Sequence, residues 1–301
     1  FSEVHLTNWG AAVILDGPGS DEVRRFVVDN ATMWLREHEL DGLRLDAVHA
    51  LVDDSAVHLL EQLALEVDAL AAHLGRPLFL VAESDRNHPR HVLPREAGGH
   101  GLHAAWADEW HHALHAVLTG ERSGYYEDFG PLDDLAVALG QAWVYAGRYS
   151  PHRGRVHGRP PAGLPGDRFV VSVQNHDQVG NRAAGERLGA LVGEGRLRVA
   201  AALLLTSPFT PMLFQGEEWA ATTPFRYFTD HDDPDLARAV SEGRRGEFAH
   251  FGGAPPPCPT RRTRPPTRRR CSTGASRHGT PTPGPSTGTG SSSRCAGPVP
   301  S

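Results

Sequence analysis

The sequence predicts an α/β protein built on a parallel sheet, and three observations carry that expectation. Short apolar runs such as Leu78–Ala82 and Phe169–Val173 are continuous rather than alternating, as strands buried on both faces are. Stretches with helical spacing lie between them, so the order is strand, helix, strand, which favours parallel pairing. Carboxylates follow the strand-like runs directly: Asp46, Glu83, Asp177 and Glu217.

Taken in order, Gly17, Pro18 and Gly19 form a turn before a helix rather than a phosphate cradle, which needs a fuller glycine motif. Gly42–Asp46 reads as a short buried strand. Residues 55–74 read as a helix, with Leu59, Leu60, Leu63, Val67 and Leu70 at helical spacing. Pro77–Ala82 is the next strand. Ala104–Leu118 and Leu132–Tyr145 read as helical, and Pro151–Asp167 as a Gly/Pro/Arg loop. Phe169–Val173 is a strand, Arg187–Thr206 contains a helix, and Pro211–Gln215 is a strand again. Carboxylates at the C-terminal ends of parallel strands converge in a (β/α)8 barrel. The spacings leave room for one strand between Glu83 and Asp177 beyond those already named. The expected fold is therefore a partial (β/α)8 TIM barrel, about strands 4 to 8. A whole barrel takes about 250 residues, so the first three strands are expected upstream of Phe1.

Composition divides the 301-residue chain in two. Residues 1–253 are expected to form the partial catalytic barrel. Residues 254–301 are Pro, Arg, Thr, Ser and Gly, with eight Arg and no acidic residue, so of the net charge of −6 the first 253 residues carry −14. Such a tail buries too little apolar surface to offset its ordering entropy, and disorder is expected. The abrupt switch, and the confinement of Cys258, Cys271 and Cys295 to this stretch, point to a frameshifted reading of a GC-rich gene. Every basic residue is Arg and none is Lys, which the same codon bias explains without a nucleic-acid partner. No apolar run is long enough to cross a bilayer, so no membrane partner is expected. The absence of cysteine before residue 258 argues against a disulfide framework.

A pair of carboxyl groups on either side of a glycosidic bond suits glycoside hydrolysis, with one staying protonated as acid and the other ionised. Arg44 stands two residues before Asp46, so both side chains leave the strand on one face, and the cation would keep Asp46 ionised. His111 and His115 have metal-ligand spacing, but no further ligand falls into place, and packing is the expectation. Trp143 and Tyr145 are expected in the core, whereas Trp106, Asp108 and Glu109 are candidates for the cleft.

These residues also carry a family resemblance. Gly42-Leu-Arg-Leu-Asp-Ala-Val-His49, Leu80-Val-Ala-Glu83 and Gln174-Asn-His-Asp-Gln178 resemble, in order and spacing, motifs of the α-amylase superfamily, glycoside hydrolase family 13. Asn175–Arg182, Ser207–Trp219, Asp108–His115, Thr229–His231 and Arg244–Phe248 are similar to the branch formed by the malto-oligosyltrehalose trehalohydrolases. The resemblance covers about residues 1–252. It implies a retaining hydrolase that cuts the α-1,4 bond next to the trehalose end of maltooligosyltrehalose. Asp46 would be the nucleophile, Glu83 the acid/base and Asp177 the transition-state stabiliser. Arg44, His49, His176, Gln178, Trp106, Asp108 and Glu217 would bind substrate. The resemblance also implies α-glucan substrates, no cofactor, no metal and a cytoplasmic setting. A superfamily motif with an Asp and an Asn-His pair is not found. The alternatives are a branching or transfer enzyme of the same superfamily, in which a sugar hydroxyl replaces water, and a truncated non-catalytic glucan-binding remnant.

Overall fold

In the computed structural model of the chain, residues 1–249 are described, apart from Glu3, Asn8, Trp9, Ala162, Phe228 and Thr229. The tail expectation for residues 254–301, its three cysteines and Thr229 of the Thr229–His231 motif lie outside the described residues.

The elements follow the alternation that the sequence announces. A two-residue antiparallel pair, β1 (Leu6–Thr7) with β2 (Gly10–Ala11), precedes helix α1 (Ser20–Arg36). Strand β3 (Gly42–Leu45) leads to α2 (Leu59–Leu74), whose first turn is capped by the His58 ring accepting from the Leu60 N–H at 3.1 Å. Then come β4 (Phe79–Ala82), β5 (Ala104–Trp106), α3 (Asp108–Thr119) and α4 (Leu132–Gln141). A hairpin of β6 (Ala146–Ser150) and β7 (Arg155–Gly158) is followed by β8 (Phe169–Ser172) and the short helices α5 (His176–Gly180) and α6 (Leu188–Leu191). Helix α7 (Glu194–Thr206), β9 (Thr210–Met212) and α8 (Pro234–Ala249) complete the described chain.

Five strands form one parallel sheet in the order β3-β4-β5-β8-β9, a curled half-barrel. This is the partial-barrel architecture expected from the sequence. Gly42 is fixed by close approach, because a Cβ there would stand 2.6 Å from the Phe79 carbonyl oxygen of β4.

Two local expectations differ. Residues 104–106 are strand rather than the start of a helix, pairing Val81 with Ala104 and Ala105 with Phe169. The Gly/Pro/Arg stretch contains the second arm of an antiparallel hairpin, with Tyr149 opposite Val156. Trp143 and Tyr145 are buried as expected.

The apolar interior falls into two clusters. One joins α1, α2, β3 and β4 through Val28, Leu35, Leu60, Leu63, Val67 and Leu80. The other joins β5, α3, α4, β8 and α7 through Trp110, Leu114, Trp143, Phe169, Val171 and Leu204. His111 belongs to the second packing layer: its Nδ1–H donates to the Val173 carbonyl at 2.5 Å, and its Nε2 accepts from the Tyr126 hydroxyl at 2.8 Å. No helix among the described residues is long and apolar enough to cross a membrane.

Candidate active site

The C-terminal ends of parallel strands share one rim of the sheet, and all five carry a carboxyl group within five residues, Glu217 being that of β9. Asp46 follows β3, Glu83 follows β4, Asp108 follows β5 and Asp177 follows β8. Arg44 gathers them. Its Nη1–H donates to Asp46 Oδ1 at 2.7 Å, and its Nη2 lies 3.8 Å from Glu83 Oε2 and 4.0 Å from Asp177 Oδ2. The guanidinium rests 5.0 Å from the centre of the Trp106 ring, so a cation–π contact from the strand two places away steadies it.

Backbone geometry sets Glu83. The Asp46 carboxylate is followed by Ala47 in the left-handed region, with φ 45° and ψ 43°, a conformation that costs an L-residue energy and recurs at functional sites. This turn aims the Ala47 N–H at Glu83 Oε2, 2.5 Å away, while the Val48 N–H donates to the Glu83 carbonyl at 3.0 Å. The three rim carboxyls differ in exposure: the Asp46 side chain is 78% accessible, Asp177 45% and Glu83 17%. Asp46 is thus the most open of the three, and Glu83 the most enclosed.

Asp177 sits in the first turn of α5. Asn175 caps that turn: its side chain accepts from the Asp177 N–H at 2.9 Å, and Gln178 Oε1 accepts from the Asn175 N–H at 2.9 Å, a capping box. His176 Nε2 lies 3.5 Å from Asp177 Oδ2. The Tyr227 hydroxyl donates toward Asp177 Oδ1, 3.0 Å away.

Beneath this rim lies a second set of polar residues. Asp108 accepts from Trp106 Nε1–H at 2.9 Å, Gln178 Nε2–H at 3.1 Å and Asn175 Nδ2–H at 3.4 Å. Burial pushes its pKa up to about 6, and the charges of Glu83 and Asp177 push the same way. Trp106 is only 9% exposed and one face lies under Arg44. Both ends of the Gln178 amide are occupied inside the protein. The geometry therefore gives Trp106, Asp108 and Gln178 the work of holding Arg44 and α5 in place.

Glu109 departs from the expectation of a cleft residue. It is buried, turned away from the rim, and accepts from the Val144 N–H at 2.6 Å, the Tyr145 N–H at 2.7 Å and Asn87 Nδ2–H at 2.5 Å. As the second residue of α3 it faces the interior, where it ties two loops together. Burial raises its pKa to about 7 against three donors that favour the carboxylate. Glu217 follows β9 and accepts from the Phe214 N–H at 2.7 Å and Gln174 Nε2–H at 3.0 Å. Burial raises it to about 7 as well. Glu218 caps its own turn by accepting from the Gly216 N–H at 2.8 Å. His49 stands 3.9 Å from Asp85 through Nδ1, a buried nitrogen without a hydrogen-bond partner.

Sequence reasoning missed Tyr227 and the Ala47 turn. Neither carries a periodic or motif signal, since one depends on a loop crossing over α5 and the other on a backbone angle.

No family model matches the chain. It is 56% identical over 248 residues to the malto-oligosyltrehalose trehalohydrolase of Arthrobacter ramosus, covering 82% of this chain and 43% of that protein. It is 47% identical over 247 residues to the protein of the same name from Saccharolobus solfataricus, again covering 82% of this chain and 43% of that one. A 1,4-alpha-glucan branching enzyme from Corynebacterium jeikeium is a distant relative, 26% identical over 269 residues. Among solved structures, a Salmonella typhimurium protein described as an alpha-amylase superposes with a TM-score of 0.78 at 40% identity, covering 87% of this chain and 45% of that one. The chain thus spans less than half the length of the curated relatives it matches.

Proposed function

We propose, from a chain that is a partial homologue of the malto-oligosyltrehalose trehalohydrolases, that the intact protein is a retaining glycoside hydrolase of the α-amylase superfamily. It would cut the α-1,4 bond next to the trehalose end of maltooligosyltrehalose. The observation that carries this reading is the Arg44 guanidinium, in reach of carboxyl groups from three different strand ends.

In this reading Asp46 attacks the anomeric carbon while Glu83 protonates the departing glycosidic oxygen, and trehalose leaves. Glu83 then takes a proton from water, which opens the glycosyl ester and restores both groups. The exposure of Asp46 supports its role as nucleophile, since a sugar can approach it. Arg44 donates to Asp46 Oδ1 and holds that carboxyl in place, and the Ala47 N–H fixes the more enclosed Glu83. Asp177 and His176 bind hydroxyls of the distorted ring, with His49 at the rim as a further contact. Trp106, Asp108, Gln178 and Glu217 act on the substrate site from below. The reading includes α-glucan substrates and a cytoplasmic location, which fractionation of cells tests.

Glu83→Gln separates the two steps. Cleavage of maltooligosyltrehalose should nearly vanish, while the first step on a glycosyl fluoride, whose leaving group needs no proton, should survive. Azide should then restore turnover with retention. Azide rescue of Asp46→Ala with retention, and of Glu83→Gln with inversion, would exchange the two labels. Transfer to a glucan hydroxyl in place of trehalose release would favour a branching activity.

A further inference from the structure

Tyr227 belongs to the stretch after β9, yet its side chain reaches α5. Its ring lies directly on Gly180, where a Cβ would meet ring carbons at 2.7 and 2.8 Å. Phe225 stands edge-on to it, with centroids 5.9 Å apart and planes at 77°, and is in turn edge-on to Phe214. The Phe225 N–H donates to the Gly185 carbonyl at 2.9 Å, which pins this stretch to the loop after α5. So held, the hydroxyl lands 3.0 Å from Asp177 Oδ1 and 3.0 Å from the His176 carbonyl oxygen. A phenol has one proton, and these two acceptors share it. The other oxygen of Asp177, Oδ2, faces Arg44 Nη2 at 4.0 Å and His176 Nε2 at 3.5 Å.

We propose that Tyr227 is a positioning residue for Asp177: its hydroxyl fixes Oδ1, so that Oδ2 is presented on the rim beside Arg44. The proposal rests on the reading of Asp177 as a substrate-contacting group. Gly180 is part of the same device, because a side chain there would lift the ring and carry the hydroxyl off Asp177. The competing account is that Tyr227 merely packs, its hydroxyl satisfied by the His176 carbonyl alone.

A double-mutant cycle in the intact protein separates the two, because coupled groups are non-additive and independent ones add. Tyr227→Phe keeps the ring and removes only the hydroxyl. Its kcat on maltooligosyltrehalose should fall about tenfold, with KM changed less than about twofold. In an Asp177→Asn background the same change should cost less than about twofold. An unchanged kcat, or an equal fractional loss in both backgrounds, overturns the proposal. A second cycle needs no turnover. Tyr227→Phe should lower the thermal midpoint in the parent but not in Asp177→Ala, and equal drops in both count against the hydrogen bond. If the parent releases no trehalose while the thermal coupling persists, it is the functional reading that fails and not the placement of Asp177 by Tyr227.

Discussion

Two sets of carboxyl groups follow strands of the same sheet and live in opposite surroundings. Asp46, Glu83 and Asp177 stand on the rim and share one guanidinium. Asp108 and Glu217, half-buried, and Glu109, buried, sit among N–H donors, with pKa values raised to about 6, 7 and 7 in the order Asp108, Glu109, Glu217. Position along the chain does not separate them, for Asp108 follows β5 more closely than Asp177 follows β8. What separates them is their partners. A carboxylate enclosed by backbone and amide donors is committed to holding loops together. One that meets a cation and solvent keeps an oxygen available for chemistry.

The contrast should break most visibly at Asp46. Asp46→Ala is expected to cut turnover by about 10⁴-fold, roughly 5 kcal/mol of barrier, while leaving the thermal midpoint within about a degree. Steady-state rates beside melting curves check it, and a large loss of stability would put Asp46 in the structural set. Glu109→Ala should do the reverse. It strands the Val144, Tyr145 and Asn87 donors in the interior and should lower unfolding free energy by about 3–5 kcal/mol in urea titrations.

Acidity sharpens the same comparison. The folded pKa values of Asp108, Glu109 and Glu217 lie above the unfolded values near 4, so the folded state binds more protons between about pH 4 and 7. Their stability contribution is present below that window and is lost as pH rises through it. Glu109→Gln should flatten this part of the curve. Glu121 works the other way, held down to about 2 by hydrogen bonds from His115 and Arg182. Its contribution is present above about pH 4.5 and is lost as pH falls toward 2. The smallest effect belongs to Asp108→Asn, which keeps an acceptor for Trp106 and should cost about 1 kcal/mol of stability.

Much of this was legible in the residues. The strands with branched or long apolar side chains, Gly42–Leu45, Phe79–Ala82 and Phe169–Ser172, announce themselves, and the acids at their ends follow from the architecture. Ala104–Trp106 did not, because three residues of which two are Ala carry little strand preference and run straight into a helix. The β6–β7 hairpin was hidden by Gly147, Gly154 and Gly158, which sit at positive φ and break the pattern that would betray a strand. At the site, Arg44 and Asp46 could be placed on one face by counting residues. Glu109 could not be told from Asp108, because one step along a helix turns a side chain by about 100° and so from rim to interior. Tyr227 was out of reach, since its partner lies fifty positions away along the chain and no period connects them.

The division of the interior into two apolar clusters has a consequence for cooperativity. β4 and β5 meet through two register pairs, Val81 with Ala104 and Ala82 with Ala105, and most of each cluster lies on its own side of that seam. Asp46 and Glu83 are anchored in one unit and Asp177 in the other, with Arg44 on Trp106 reaching across. The two units can open with different free energies, and amide exchange should divide the same way. A sugar lodged between Glu83 and Asp177 would act as a stitch across the seam. Bound ligand would then raise the lower of the two opening energies toward the higher, and two unfolding events would merge into one.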